Sequence, residues 1–168
     1  TTTDRTSPVP VSGLAGLAAN AITAGGYHSC ARFSDGAVRC WGNNDSGQLG
    51  DNSTQTRTAP VVVSGLGGPG TSGLALGEYH SCARMTDGTL RCWGYNDAGQ
   101  LGDGGTVDRG VAAPVLGLAG LNATDLAAGG SHTCARISDG SARCWGDNTH
   151  GVLGNGEAGY YATPQAVV

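Results

Sequence analysis

Three near-copies of one segment constrain this chain more than any other feature. HSCARFSDGAVRCWG at 28–42 returns as HSCARMTDGTLRCWG at 80–94 and as HTCARISDGSARCWG at 132–146, an interval of 52 residues each time. The interval also holds in the intervening stretches. GNNDSGQLGD at 42–51 aligns with GYNDAGQLGD at 94–103 and GDNTHGVLGN at 146–155 without a gap. A fixed period of about 50 residues marks a stack of supersecondary units, each of which buries its apolar face against the next. The three units therefore share one backbone path.

Within a unit the pattern is β. Short runs such as AITAG, AVRCW and APVVV are bounded by Gly, Asn, Asp and Pro, the residues that make turns. No helical period of useful length is present. The one weak candidate, GLAGLAANA at 13–21, aligns with GLGGPGTSG at 65–73, which cannot be a helix. Four strands are expected per unit, over 20–25, 27–33, 37–41 and 59–63, repeated every 52 residues. Four-stranded units of this length with a Trp-Gly signature predict an all-β chain of β-propeller blades.

At this point the residues resemble a known family. The pattern A-G-G-x-H-S-x-A-x-x-x-D-G-x-x-x-x-W-G-x-N-x-x-G-Q-L-G-D is similar to the repeat of the regulator of chromosome condensation family, and three consecutive matches cover nearly the whole chain. The resemblance implies a propeller that usually has seven blades. It implies no single activity, since such propellers serve guanine-nucleotide exchange on Ran, β-lactamase inhibition and unassigned secreted roles. The paired cysteines and the Gly/Ala-rich links such as GLAGLAAN depart from the usual pattern.

The cysteine pairs follow from hairpin arithmetic. A three-residue loop Ser34-Asp35-Gly36, with glycine in the left-handed position, sets Arg32 opposite Val38, Ala31 opposite Arg39 and Cys30 opposite Cys40. Directly opposed antiparallel residues lie about 4.5 to 5.5 Å apart, within reach of a disulfide. The same register pairs Cys82 with Cys92 and Cys134 with Cys144. A two-residue Asp-Gly loop would instead set Cys30 opposite Trp41. Zinc held by His28, Cys30 and Cys40 is disfavoured, because structural zinc prefers closely spaced cysteines and four ligands. Three disulfides imply an oxidising compartment, and the expected location is secreted or extracellular.

His28, His80 and His132 recur in step with the core and are read as hydrogen-bonding structural residues. Trp41, Trp93 and Trp145 are expected to pack between blades with the indole N–H on a carbonyl. Arg32 and Arg39 are read as blade-to-blade donors. Residues 13–64, 65–116 and 117–168 form the three expected blades. PVPV at 8–11 aligns with the last strand of a unit, so residues 1–12 are read as the outer strand of a preceding blade. TTTDRTSPVP carries neither an initiator Met nor a signal peptide, which reads as a mature or excised piece. Since propellers close with about four to eight blades, three blades predict partners that are further blades or further copies of the chain. The result would be a larger propeller, ring or filament.

Composition narrows the function classes. The net charge is −4 with a pI near 5.3, and all nine basic residues are arginine. This offers no footprint for nucleic acid, and no apolar run is long enough for membrane insertion. No hydrolase, P-loop, metalloprotease or dinucleotide fingerprint occurs. No catalytic residue, metal or cofactor is assigned, and an enzyme is not expected. The function expected is a structural, self-assembling or protein-interaction module. The alternative is a soluble binding propeller such as an inhibitor or lectin. Departures from the repeat mark the candidate binding residues. Tyr95 stands for Asn43 and Asp147, Glu78 for Gly26 and Gly130, His150 for Ser46 and Ala98, and Tyr160-Tyr161 for Thr56-Arg57 and Asp108-Arg109. They would suit an extracellular protein or glycan. Sequons at Asn44, Asn52 and Asn122 are candidate glycosylation sites.

Overall fold

The structure is a computed structural model and describes residues 2–14, 16–67 and 70–168. It is all-β, with no helix among the described residues. The first sheet holds β1 (Ala19–Ala24), β2 (His28–Phe33), β3 (Val38–Gly42) and β4 (Arg57–Val62). The second holds β5 (Thr71–Leu76), β6 (His80–Met85), β7 (Leu90–Gly94) and β8 (Arg109–Pro114). The third holds β9 (Ala123–Ala128), β10 (His132–Ile137), β11 (Ala142–Asp147) and β12 (Tyr160–Ala166). Each sheet is antiparallel, with its strands in chain order. The sheets meet chiefly through β1, β5 and β9, so the first strand of each lies innermost and β4, β8 and β12 lie outermost. These are three consecutive propeller blades.

The central hairpin has the three-residue loop and the register expected of it. Gly36 takes φ 81°, Asp35 Oδ1 accepts the Ala37 N–H at 3.0 Å, and Cys30 pairs with Cys40. All three disulfides form, each with Cα atoms 4.1 Å apart. Arg32 reaches the next blade, where its guanidinium donates to the Thr71 carbonyl at 2.9 Å. Arg39 does not. It turns back on its own hairpin, ion-paired to Asp35 at 2.7 Å and lying over the Phe33 ring.

The loop between third and fourth strands is long but built around one buried asparagine. Asn44 Oδ1 accepts the Leu49 N–H at 2.9 Å while Nδ2 donates to the Ser53 carbonyl at 3.0 Å. Asn96 and Asn148 repeat the arrangement. Asp51 then pairs with Arg57 at 2.9 Å, and Asp103 pairs with Arg109.

The apolar core lies between the blades. The first seam joins Cys30, Cys40 and Leu49 to Leu76, Met85 and Trp93. The second joins Cys82, Cys92 and Leu101 to Ala135, Ile137 and Trp145. A blade therefore presents its disulfide to the following blade and its tryptophan to the preceding one. Residues 8–11, expected as the outer strand of a preceding blade, take no strand conformation beside the three described blades. They lie exposed and pair with none of the three sheets, since the third strand of every described blade already has its own outer partner.

Each bridge closes a short loop, for which unfolded-chain entropy gives about 2 to 3 kcal/mol. The double variant Cys82→Ala/Cys92→Ala is expected to lose at least that much, since it also leaves space in the second seam. Urea unfolding of the two proteins side by side, each without reductant, measures it.

Candidate functional site

The two seams are locked by a repeated polar latch. At the first seam the Gln48 carbonyl accepts the Trp93 indole N–H and the Ser81 hydroxyl, both at 2.9 Å. A carbonyl oxygen has two lone pairs, and both are used. The ring of His28 meets the Ser81 hydroxyl at 2.7 Å through Nε2. Because that hydroxyl spends its only proton on Gln48, Nε2 must donate, which makes His28 the neutral Nε2–H tautomer. The second seam repeats the set. The Gln100 carbonyl takes Trp145 and Thr133 at 2.9 Å, and His80 Nε2 meets Thr133 at 2.9 Å.

Burial enforces the neutral form. It lowers His28 to about 4, and it lowers His80 to about 3 with help from His28 and His132. The ring lies against a glycine: a Cβ on Gly77 would sit 2.1 Å from His80 Cε1. That close approach explains the glycine three residues before each histidine, Gly25, Gly77 and Gly129.

At either end the latch is half made. Trp41 and Ser29 are half-buried on the first blade, and among the described residues neither finds a partner across a seam. On the third blade His132 is half-buried without a hydroxyl partner. Val152, at the position of Gln48 and Gln100, is 47% exposed, with its carbonyl unclaimed among the described residues.

A second feature lies where the β1–β2 turn and the β3–β4 loop of each blade meet. The residue after the Trp-Gly pair donates its N–H to the turn residue before the histidine. The pairs are Asn43 to Tyr27, Tyr95 to Tyr79 and Asp147 to Ser131, all at 2.9 Å. Across the blades Tyr27 and Tyr79 stack with ring centres 4.9 Å apart, and Tyr95 meets Tyr79 edge-on at 6.4 Å. Tyr95 donates its hydroxyl to Asp97 at 2.9 Å, and that bond is the leading reason its pKa is raised. Tyr79 is raised first by desolvation, then by Tyr27, Glu78 and Asp45.

Of the candidate binding residues, Tyr95 and Glu78 belong to this rim, and Tyr160, 64% exposed, starts β12 opposite Asp147. Tyr161 has a structural job. Its hydroxyl donates to Glu157 at 2.5 Å where the other blades carry an arginine–aspartate pair, and Asn155 has replaced the aspartate. His150 is exposed, and its side chain hydrogen-bonds Thr149 at 3.1 Å. Asn52 and Asn122 are exposed, whereas the Asn44 sequon is enclosed: its Nδ2 is buried on Asp51 and Ser53. A glycan there would dismantle the loop. Tyr27 and Tyr79 do not stand out as departures from the repeat, because two units share them. The signal available was a large aromatic inside a glycine-rich turn.

Known proteins match this chain as follows. The model described as "Regulator of chromosome condensation (RCC1) repeat" matches residues 20–48, 72–100 and 123–152, and a second model of that description matches 35–84 and 87–136. The ultraviolet-B receptor UVR8 of Arabidopsis thaliana is 33% identical over 98% of this chain, which spans 38% of UVR8. The crystal structure of human WBSCR16 superposes with a TM-score of 0.84 at 26% identity, over 96% of this chain and 43% of that one. Prp20p of Saccharomyces cerevisiae, described with its binding properties to Gsp1p and histones, superposes at 0.81 with 22% identity, over 89% of this chain and 38% of that one.

Two measurements test the latch. An unfolded imidazole takes a proton near its usual 6.5 while folded His28 and His80 refuse it until about 4 and 3. Stability therefore holds above pH 6.5 and falls as pH drops through that window, because the unfolded chain binds more protons. Melting temperatures from pH 7.5 down to 4 should show the fall, and His80→Gln should flatten it. Gly77→Ala should cost about 1 to 3 kcal/mol through overpacking against His80, read by urea unfolding at pH 7.5.

Proposed function

Because the chain belongs to the regulator of chromosome condensation repeat family, we propose that it is a non-catalytic interaction module whose first and third blades dock onto further blades of the same kind, supplied by more of the array or by another copy. The observation that carries this reading is the pair of half-latches. One end offers the Trp41 indole N–H and Ser29 hydroxyl, and the other offers the Val152 carbonyl and His132. These are complementary parts of the contact already made twice inside the molecule. A head-to-tail contact of this kind closes a ring or runs on as a filament.

The setting we propose is extracellular. Three hairpin disulfides persist in an oxidising compartment and are uncommon where glutathione keeps thiols reduced. Structural and assembly roles at a cell surface fit both features. The chain spans well under half of the relatives above, so their partners, Gsp1p and histones among them, suggest protein binding here without specifying a partner. A second reading, a binding propeller of the inhibitor or lectin kind, draws on the exposed tyrosines Tyr27 and Tyr160.

Sedimentation of the 168-residue chain at rising concentration tests the docking. The expected result is association that Trp41→Ala abolishes without changing the fold. A monodisperse 16.7 kDa species at every concentration overturns docking between copies.

A further inference from the structure

We propose that the tyrosine rim is a docking surface for an arginine- or lysine-bearing peptide segment of a partner protein. The inference rests on the reading of the chain as an interaction module but not on the docking of its terminal blades.

The repeat itself shows that the fold does not require these rings. Blade three builds the same turn with Ser131 in place of Tyr27 and Tyr79, and the same backbone bond with Asp147 in place of Tyr95. The tyrosines nevertheless gather into one stack, and Tyr27 is 56% exposed within it. An exposed aromatic surface that the backbone does not demand is what a recognition site provides.

Charge selects the occupant. The first-to-second-strand turns and third-to-fourth-strand loops of all three blades open on the same side of the propeller. On that side Asp45, Glu78, Asp97, Asp108, Asp147 and Glu157 lack an arginine partner among the described residues. The two arginines there, Arg57 and Arg109, are already held by Asp51 and Asp103. Six arginines lie toward the opposite side, at the other ends of the second and third strands. The tyrosines thus sit in the negative half of the molecule. Tyr79 lies in the field of Glu78 and Asp45, and Tyr95 in that of Asp97 and Asp108. The Asp108 carboxyl is itself pushed up, by desolvation first and also by Asp97, so a cation between them relieves a like-charge contact.

The chemistry that fits is a guanidinium or ammonium laid over the Tyr27 face with its N–H groups on the neighbouring carboxylates. Cation–π contact and charge-assisted hydrogen bonds then act on one group. Arginine suits it best, being planar and able to stack while bonding. A neutral sugar stacks on tyrosine equally well, but gains far less from the carboxylates.

The test is fluorescence anisotropy with a labelled nonapeptide of alternating arginine and glycine, at physiological salt, against the intact oxidised chain. Its glutamate-for-arginine counterpart and cellotetraose are the comparison ligands. The arginine peptide should bind and the glutamate peptide should not. Tyr27→Ala and Tyr79→Ala should each weaken binding about three- to tenfold, as should Glu78→Gln, with melting temperatures unchanged. Binding that follows Glu78 but ignores both tyrosines overturns the proposal in favour of unspecific charge attraction. Tyrosine-dependent binding of cellotetraose that ignores Glu78→Gln overturns it in favour of glycan recognition. No binding of the arginine peptide overturns it outright. Sedimentation reads the terminal docking separately, so the failure of either leaves the other standing.

Discussion

Everything in this molecule depends on one carbonyl oxygen per seam. The Gln48 and Gln100 carbonyls each take an indole N–H and a hydroxyl from the following blade, and a neutral histidine from their own blade closes the set. The apolar residues of each seam supply the larger, undirected part of the stabilisation. They do not by themselves choose an angle between two sheets. The latch does, because hydrogen bonds weaken steeply when misaligned and a buried group left without its partner costs about 1 to 3 kcal/mol. The arrangement tolerates one such loss: Nδ1 of His28 and of His80 is buried without a partner. A ring that donates through Nε2 leaves Nδ1 an unprotonated acceptor, and protonating it would bury a charge without a partner; that burial is the first cause of the depressed pKa of both.

The rest follows from where the latch puts the core. Since the apolar residues lie in the seams, a single blade has almost nothing to bury, and stability is a sum over neighbouring pairs. The disulfides reinforce each blade from within. In the two seams they also serve as packing surface, since Cys30, Cys40, Cys82 and Cys92 are fully buried there. The third bridge faces the open side, where Cys134 is only half-buried. Loops on both sides of the propeller are then free to vary, and the unit-to-unit differences at 27, 79, 95 and 160 gather on one of them. Tyrosine and carboxylate side chains from two blades form a surface that neither blade carries alone.

Much of this was legible beforehand because a hairpin is a local structure. Three residues of loop chemistry settle the register, the register settles the cysteine pairing, and the 52-residue repeat applies it three times. What the local pattern left open were the partners of individual side chains and segments. Arg39 was taken for a blade-to-blade donor, yet Asp35 lies closer. Asn44 sits in an apparent sequon, yet the loop folds around it. Tyr161 looked like a loop recognition residue, yet with Asn155 it replaces an ion pair. PVPV at 8–11 has the composition of an outer strand but no sheet among the described blades to join.

By itself, then, the sequence determined the all-β class, the blade as a unit, the hairpin register and the three disulfides. The register and the disulfides depend on residues within about fifteen positions of one another, and the 52-residue repeat marks the blade. Tertiary structure alone decided which atoms meet between blades. It brought a histidine to a hydroxyl 53 residues away, put an indole under a carbonyl 45 residues away and stacked tyrosines from separate turns. The physical reason is that spacing along a strand dictates which face a side chain takes, whereas a contact across a seam depends on the angle at which two sheets pack. No local pattern encodes that angle.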